Sequence, residues 1–158
     1  MGSGSATINQ LGALGAALLL IGERTEGRLS LVDHPCAPRG LAAPMHRHAN
    51  EDEYAFVIEG EWGFEQGGAV VYARPGDLVA KPRNTWHTFW NATDRPARIL
   101  EIITPAGFEH YFEEIAPLLA TDGPPDEARV ANLLDRYGLE VDWASVPALC
   151  ERYGVRFG

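Results

Sequence analysis

A succession of short apolar or alternating runs, broken by turn residues at intervals of about ten, most constrains the fold of this chain. Between residues 16 and 105 the pattern predicts strands at 18–21, 29–34, 54–58, 61–66, 69–72, 78–80, 87–91 and 98–103. Gly67-Gly68 and Pro75-Gly76 mark tight turns, because glycine and proline supply the backbone angles that such turns need. Strands of this length and spacing are typical of an all-β sandwich or barrel.

The hydrophobic period changes to that of a helix after Pro105. Apolar residues at 108, 112, 115 and 119 predict a first helix, and prolines and acids at 124–127 mark the start of a second, which ends at Gly138. A third helix is predicted over 146–153. We therefore divide the chain into a flexible N-terminal segment (1–15), a β-barrel (16–105) and C-terminal helices that pack on the barrel (106–158).

Charge and composition limit the partners of this 158-residue chain. Its formal net charge of -9 disfavours nucleic acids and anionic membrane surfaces, because both are polyanions. The apolar run at 11–21 is too short to span a bilayer and no basic residues precede it as in a signal peptide. Cys36 and Cys150 lie far apart, which favours free thiols in a reduced compartment. We expect a cytoplasmic protein without nucleic-acid or membrane partners.

A group of metal-ligand side chains lies in the segment MHRHANEDE. His46 and His48 are two residues apart, so on a strand both side chains point to the same face. Glu53 follows after a possible turn, and His87 comes from a separate strand. Three imidazoles and one carboxylate suit Fe(II), Mn(II), Ni(II), Co(II) or Zn(II) and leave positions for water or substrate. The alternative is that these four side chains lie on the surface.

The spacing around these residues resembles the two sequence motifs of the cupin superfamily. Gly40, His46, His48, Glu53 and Gly60 match G-x5-H-x-H-x4-E-x6-G, and Gly76, Pro82, His87 and Asn91 match G-x5-P-x-G-x2-H-x3-N. Asn84 replaces the glycine of the second motif, and asparagine tolerates the left-handed backbone that glycine often supplies there. The resemblance implies an antiparallel jelly-roll barrel that holds one divalent metal (Fe, Ni, Mn, Co or Zn) through His46, His48, Glu53 and His87.

The run at 104–109 is similar to that of single-domain cupins described as quercetin 2,3-dioxygenase-like. This resemblance implies a dioxygenase that acts on an aromatic or enolisable small molecule, with Glu53 as a candidate catalytic base as well as a ligand. Two alternatives stay open: a non-redox isomerase, cyclase or lyase that uses the same metal site, and a small-molecule-binding cupin without catalytic activity. Cupins of this size are often homodimers, so we expect a homodimer.

The sequence also predicts the character of the substrate pocket. Phe89 and Thr85 have the same parity as His87, which places them on the pocket wall, whereas Trp90 should face the opposite layer. An apolar cavity with few charges favours an aromatic or polyketide-like substrate over a sugar phosphate. We expect His34 and His110 to be surface or helix-face residues rather than metal ligands.

Overall fold

Two antiparallel β-sheets form the framework of residues 6–158, the part of the chain that this computed structural model describes. The strands are β1 (Ile8–Leu11), β2 (Leu14–Leu20), β3 (Ser30–Cys36), β4 (Met45–His48), β5 (Asp52–Glu59), β6 (Trp62–Gln66), β7 (Ala69–Ala73), β8 (Leu78–Lys81), β9 (His87–Asn91), β10 (Ala97–Thr104) and β11 (Leu139–Asp142). The helices are α1 (His110–Leu119), α2 (Glu127–Arg136) and α3 (Val146–Tyr153). One sheet has the strand order β1-β2-β3-β10-β5-β8 and the other β11-β4-β9-β6-β7. The prediction of a mainly β protein with C-terminal helices is therefore confirmed.

The side chains between the two sheets form the core of the β-domain. Along β3 and β10 every second residue is buried, as expected for strands that turn one face towards a core. Val57 and Ile99 from one sheet pack with Trp62, Phe64 and Phe89 from the other. Burial of large apolar side chains stabilises a fold by roughly 1.5–3 kcal/mol each, so this cluster is the main source of stability between the sheets.

The N-terminal part of the chain differs from the prediction of a flexible segment over 1–15. Residues 1–5 lie outside the described residues, but β1 and β2 form an antiparallel hairpin with Ile8 opposite Ala17 and Leu11 opposite Leu14. Gly12, in the turn, has φ +60°, a conformation that glycine adopts without strain. The sequence of β1 has no strong strand pattern. Its residues form a strand because they pair with β2, which the local sequence alone did not predict.

The C-terminal segment contains a strand as well as helices. β11 adds to the edge of β4, where Leu139 pairs with His48 and Val141 pairs with His46. Helix α2 begins where the sequence predicts, and the Asp126 side chain accepts hydrogen bonds from two backbone N–H groups of its first turn. No helix among residues 6–158 is both long and apolar enough to cross a membrane. The segment thus packs on the barrel through a strand pairing that its helical periodicity concealed.

Candidate metal centre

Three strands bring the four predicted ligands together inside the barrel. His46 and His48 lie on β4, Glu53 lies on β5 and His87 lies on β9, directly opposite His46 in the strand register. All four residues are buried, and each offers one ligand atom that lies within 4.8 Å of the others. The alternative of four surface side chains is therefore wrong.

Backbone carbonyl groups orient two of the imidazole rings. His46 Nδ1 lies 2.8 Å from the carbonyl oxygen of Pro44, and His87 Nδ1 lies 2.9 Å from that of Thr85. Because a carbonyl oxygen only accepts, each Nδ1 carries the hydrogen and each Nε2 keeps a free lone pair. Burial also lowers the pKa of His46 and of His87, which keeps both rings neutral. A neutral ring held by its other nitrogen is the form in which histidine binds metals.

Glu53 and His48 complete the group with opposite charges. Glu53 Oε2 lies 3.3 Å from His48 Nε2 and 3.5 Å from His87 Nε2. Burial alone would lower the pKa of His48, but the carboxylates of Glu53 and Glu51 outweigh burial and raise that pKa to about 9. Burial alone would raise the pKa of Glu53, but the charges of His48 and Lys81 hold it well below its usual value. Without a metal, a proton on His48 thus supplies the positive charge beside Glu53.

The residues present fit one divalent cation. His48 Nε2, His87 Nε2 and Glu53 Oε2 are buried and have no hydrogen-bond partner among the described residues. Unpartnered buried polar atoms are destabilising, and a single cation between them would satisfy all three atoms. Nitrogen and carboxylate ligands of this kind suit the first-row metals expected from the sequence.

The loops beside the ligands explain two motif residues that bind no metal. Asn84 has φ +61°, so the left-handed backbone expected of this replacement is confirmed, and its N–H donates to the His48 carbonyl oxygen at 2.7 Å. The Asn91 side chain donates to the carbonyl oxygens of Ala37 and Arg95, at 3.0 and 2.6 Å. Glu51 beside this turn is buried, and one of its carboxylate oxygens lies 3.6 Å from His48 Nδ1.

A cavity of about 840 Å³ opens beside the candidate ligands. Apolar side chains dominate its wall, and Phe89 lies there as the sequence predicts, whereas Thr85 holds His87 through its backbone instead. Helices α1 and α2 contribute Phe112, Ile115 and Val130 to the wall, so the C-terminal helices cover this part of the barrel. The size falls in the range of small-molecule sites, which is about 300–1,000 Å³.

The mostly apolar cavity wall also carries a few charged and titratable groups that the sequence analysis did not place there. Lys81, Glu101 and His34 also line it, and all three are buried. Lys81 Nζ lies 2.8 Å from Glu101 Oε1 and 3.3 Å from Glu53 Oε2. Burial raises the pKa of Glu101 to about 7, although Lys81 opposes this shift. Glu101 has the same parity as Ile99 and Ile103, which was the sequence signal for an inward carboxylate.

His34 is buried rather than on the surface. Its Nδ1 lies 2.7 Å from the carbonyl oxygen of Gly15, and its ring meets the Phe112 ring edge to face at 5.0 Å. Burial lowers the pKa of His34 to about 4, so the ring is neutral near pH 7. His110, by contrast, is partly exposed and binds Glu23 and Glu113.

Comparison with known proteins relates part of the β-domain to a known family. Residues 36–103 match the Cupin_2 family, described as a cupin domain. None of the curated proteins matches the sequence. The fold is similar to a predicted oxalate decarboxylase from Thermotoga maritima (TM-score 0.60, 20% identity, covering 66% of this chain and 96% of that chain). It is also similar to a sugar phosphate isomerase of the cupin superfamily from Silicibacter pomeroyi (TM-score 0.55, 23% identity, 63% and 71% covered).

A third solved structure with this fold is the nucleoside dehydratase Pac13 from Streptomyces (TM-score 0.54, 13% identity, covering 65% of this chain and 78% of that chain). At such identities the likeness concerns the fold alone. The family match, the two antiparallel sheets and the buried His46, His48, Glu53 and His87 group agree with one another. Residues 36–103 of this chain thus resemble a cupin domain in sequence, and the described part of the chain resembles cupins in fold.

Proposed function

We propose that this protein is a metal-dependent cupin enzyme that holds one divalent cation through His46, His48, Glu53 and His87. The observation that carries the proposal is the set of buried, unpartnered Nε2 and Oε2 atoms that meet beside the cavity. A bound cation would supply Lewis-acid chemistry or a site for oxygen chemistry there. The cavity would hold a small molecule, with one of its oxygen atoms towards the ligand group.

The reaction that we propose first is that of a dioxygenase acting on an aromatic or enolisable substrate. Apolar walls such as Phe89, Phe112 and Ile115 suit an aromatic body and exclude water from it. In this reaction Glu53 would orient the substrate hydroxyl or take its proton. Its contacts with Lys81 and His48 keep its pKa low, which makes it a weak base and favours a role as ligand.

The second candidate is a non-redox isomerase, dehydratase or lyase that uses the same residues. The buried Lys81–Glu101 contact favours it, because this pair places two further groups able to hold protons in the cavity. The descriptions of the structural neighbours name a decarboxylase, an isomerase and a dehydratase. For this chain these three reaction types are proposals only. Substrates of such enzymes should be assayed alongside flavonols.

The test begins with the metal content of protein purified without added metal, measured by elemental analysis. We expect close to one divalent metal per chain in the wild type and a strong loss in His48→Ala. Glu113→Ala is the control, since the Glu113 side chain is exposed and belongs to no group of possible metal ligands among the described residues. Full metal occupancy in His48→Ala would refute the proposed site.

Oxygen consumption then separates the two candidate reactions. A dioxygenase should consume oxygen with flavonol-like or enolisable substrates in the metal-loaded wild type and not in His48→Ala. A metal-loaded protein that turns over a substrate without oxygen consumption would favour the non-redox reaction. The expected homodimer and the absence of nucleic-acid and membrane partners remain proposals as well.

A further inference from the structure

Four neighbouring strands each turn one polar side chain into the barrel, forming a row across the first sheet. Lys81 on β8 is directly opposite Glu53 on β5 in the strand register. On β10 Ile103 is opposite Glu53, so Glu101 lies diagonally from it on the same face. On β3 Val32 is opposite Glu101, so His34 lies diagonally from Glu101. The row therefore runs from the candidate metal ligands along one wall of the cavity.

Stability alone does not account for the Lys81–Glu101 part of this row. The two side chains are only 2% and 1% exposed. Taking such a pair out of water costs several kcal/mol per ion, and apolar residues of similar volume are often equally stabilising or better. Moreover, both Glu101 carboxylate oxygens lack a hydrogen bond of normal geometry among the described residues, despite the close contact with Lys81 Nζ. A buried carboxylate in this state is suited to accept a hydrogen bond from a bound molecule.

His34 presents a second acceptor at the same end of the row. Its Nδ1 carries the hydrogen that it donates to the Gly15 carbonyl oxygen, so its Nε2 keeps the lone pair. Phe112 packs against the ring and holds its orientation. Because His34 and Glu101 both line the cavity, a ligand there would meet two hydrogen-bond acceptors beside Lys81.

We propose that Glu101 and His34 form a substrate-binding subsite that takes a hydroxyl or amino group of the molecule whose oxygen is held at His46, His48, Glu53 and His87. This proposal rests on the proposed function and adds the chemical class of the substrate. The substrate carries a metal-binding oxygen at one end and a hydrogen-bond donor at the other, joined by an apolar or aromatic body. Glu101 and His34 are thus specificity-determining residues.

The distance between the two ends is short. Lys81 Nζ lies 3.3 Å from Glu53 Oε2 and 2.8 Å from Glu101 Oε1. The distance between these two oxygen atoms therefore cannot exceed the sum of the two contact distances. A single six-membered ring bridges a gap of this length. Benzohydroxamic acid, which binds metals through its two oxygens, and its 3-hydroxy and 4-hydroxy derivatives are therefore suitable probes.

The experiment measures the dissociation constant of each probe with Co(II)-loaded protein, from the visible absorption of the metal, at pH 8. At this pH Glu101, with a pKa of about 7, is ionised. In the wild type we expect at least one hydroxy derivative to bind about tenfold more tightly than benzohydroxamic acid, as for one hydrogen bond to a charged group. Glu101→Gln should reduce this preference to about twofold or less while the cobalt content stays unchanged, and His34→Phe should also reduce it.

Glu109→Gln is the matched control. Glu109 is also a fully buried carboxylate, but it accepts hydrogen bonds from the N–H groups of Gly22 and Gly107, away from the cavity wall. This variant should keep the wild-type preference. Thermal melting of each variant verifies that it is folded.

Three results would overturn the inference, and they differ from one another. Equal binding of all three probes to the wild type, or an unchanged preference in both folded Glu101→Gln and His34→Phe, would refute the subsite and leave the metal site standing. A wild type that neither retains cobalt nor binds benzohydroxamic acid would refute the proposed function and the subsite with it.

Discussion

Replacing Lys81 with methionine should destabilise the metal-free protein strongly, although the side chain volume changes little. Lys81 is 2% exposed, and its Nζ contacts the carboxylates of Glu101 and Glu53 at 2.8 and 3.3 Å. Its removal leaves these two carboxylates buried near each other without the cation between them. Breaking a buried ion pair on one side costs about 3–5 kcal/mol. The Nζ also lies 4.4 Å from the centre of the Phe89 ring, and that contact adds roughly 0.5–2 kcal/mol.

Urea unfolding in the presence of a chelator, at pH 8, gives the free energy of unfolding directly. We expect Lys81→Met to lower it by about 3–5 kcal/mol, which for a chain of this length corresponds to a melting temperature lower by roughly 10 °C. The double variant Lys81→Met/Glu101→Leu should recover a large part of the loss, because it removes both charges and fills the space. Arg98→Met on β10, the strand of Glu101, is the control, since the Arg98 side chain is 45% exposed and its ion pair with Asp33 should contribute no more than about 1 kcal/mol.

Two results would contradict this reasoning. One is a loss below about 1 kcal/mol in Lys81→Met, comparable with an exposed pair. The other is a double variant whose loss in free energy of unfolding equals the sum of the losses in Lys81→Met and in Glu101→Leu, because the effects of independent side chains are additive. Either result would mean that Lys81 and Glu101 do not form a buried charged contact.

Four further predictions concern the metal site, the loop beside it, the core and the assembly. The pKa of His48 is raised to about 9, so metal binding at pH 7 should release a proton from His48, which calorimetry in buffers of different ionisation enthalpy measures. For the same reason the free energy of unfolding of the metal-free protein should fall as the pH rises from 6.5 through 9. Asn84, with φ +61°, should tolerate glycine, whereas Asn84→Val should lower the free energy of unfolding by about 1–3 kcal/mol in thermal melts. A Cβ at Gly63 would lie 2.1 Å from Trp90 Cε2, so Gly63→Ala should cost about 1–3 kcal/mol or more in urea unfolding, and a loss near zero would contradict this close contact. If the predicted homodimer uses β7, whose Tyr72 is 56% exposed, Tyr72→Lys should shift the sedimentation coefficient from that of a dimer towards that of a monomer.

The spacing of glycines, histidines and one glutamate was enough to predict the candidate ligands. His46 and His48 share a face because strand side chains alternate, and His87 follows a turn that Asn84 closes in the left-handed conformation. The strands that carry them are marked by alternation and turn residues within a few positions. Alternation, motif spacing and turn residues are local features, so they can be recognised in the sequence without knowledge of the tertiary structure.

Helical periodicity after Pro105 was equally informative for α1 and α2 but concealed β11. Its four residues carry little pattern, and they become a strand because the edge of β4 offers unpaired backbone groups beside His46 and His48. The N-terminal β1 depends in the same way on β2. Short strands at sheet edges are decided by their partners rather than by their own sequence.

The sequence by itself determined the strand pattern and the four residues that meet at the candidate metal centre. Only the tertiary structure decided the rest of the cavity, because the strand order β3-β10-β5-β8 places His34, Glu101, Glu53 and Lys81 in one row although they are far apart in the chain. Burial next to Glu53 turned Lys81 from an ordinary charged residue into part of the wall. Strand order depends on long-range pairing, and no local spacing in the sequence encodes it.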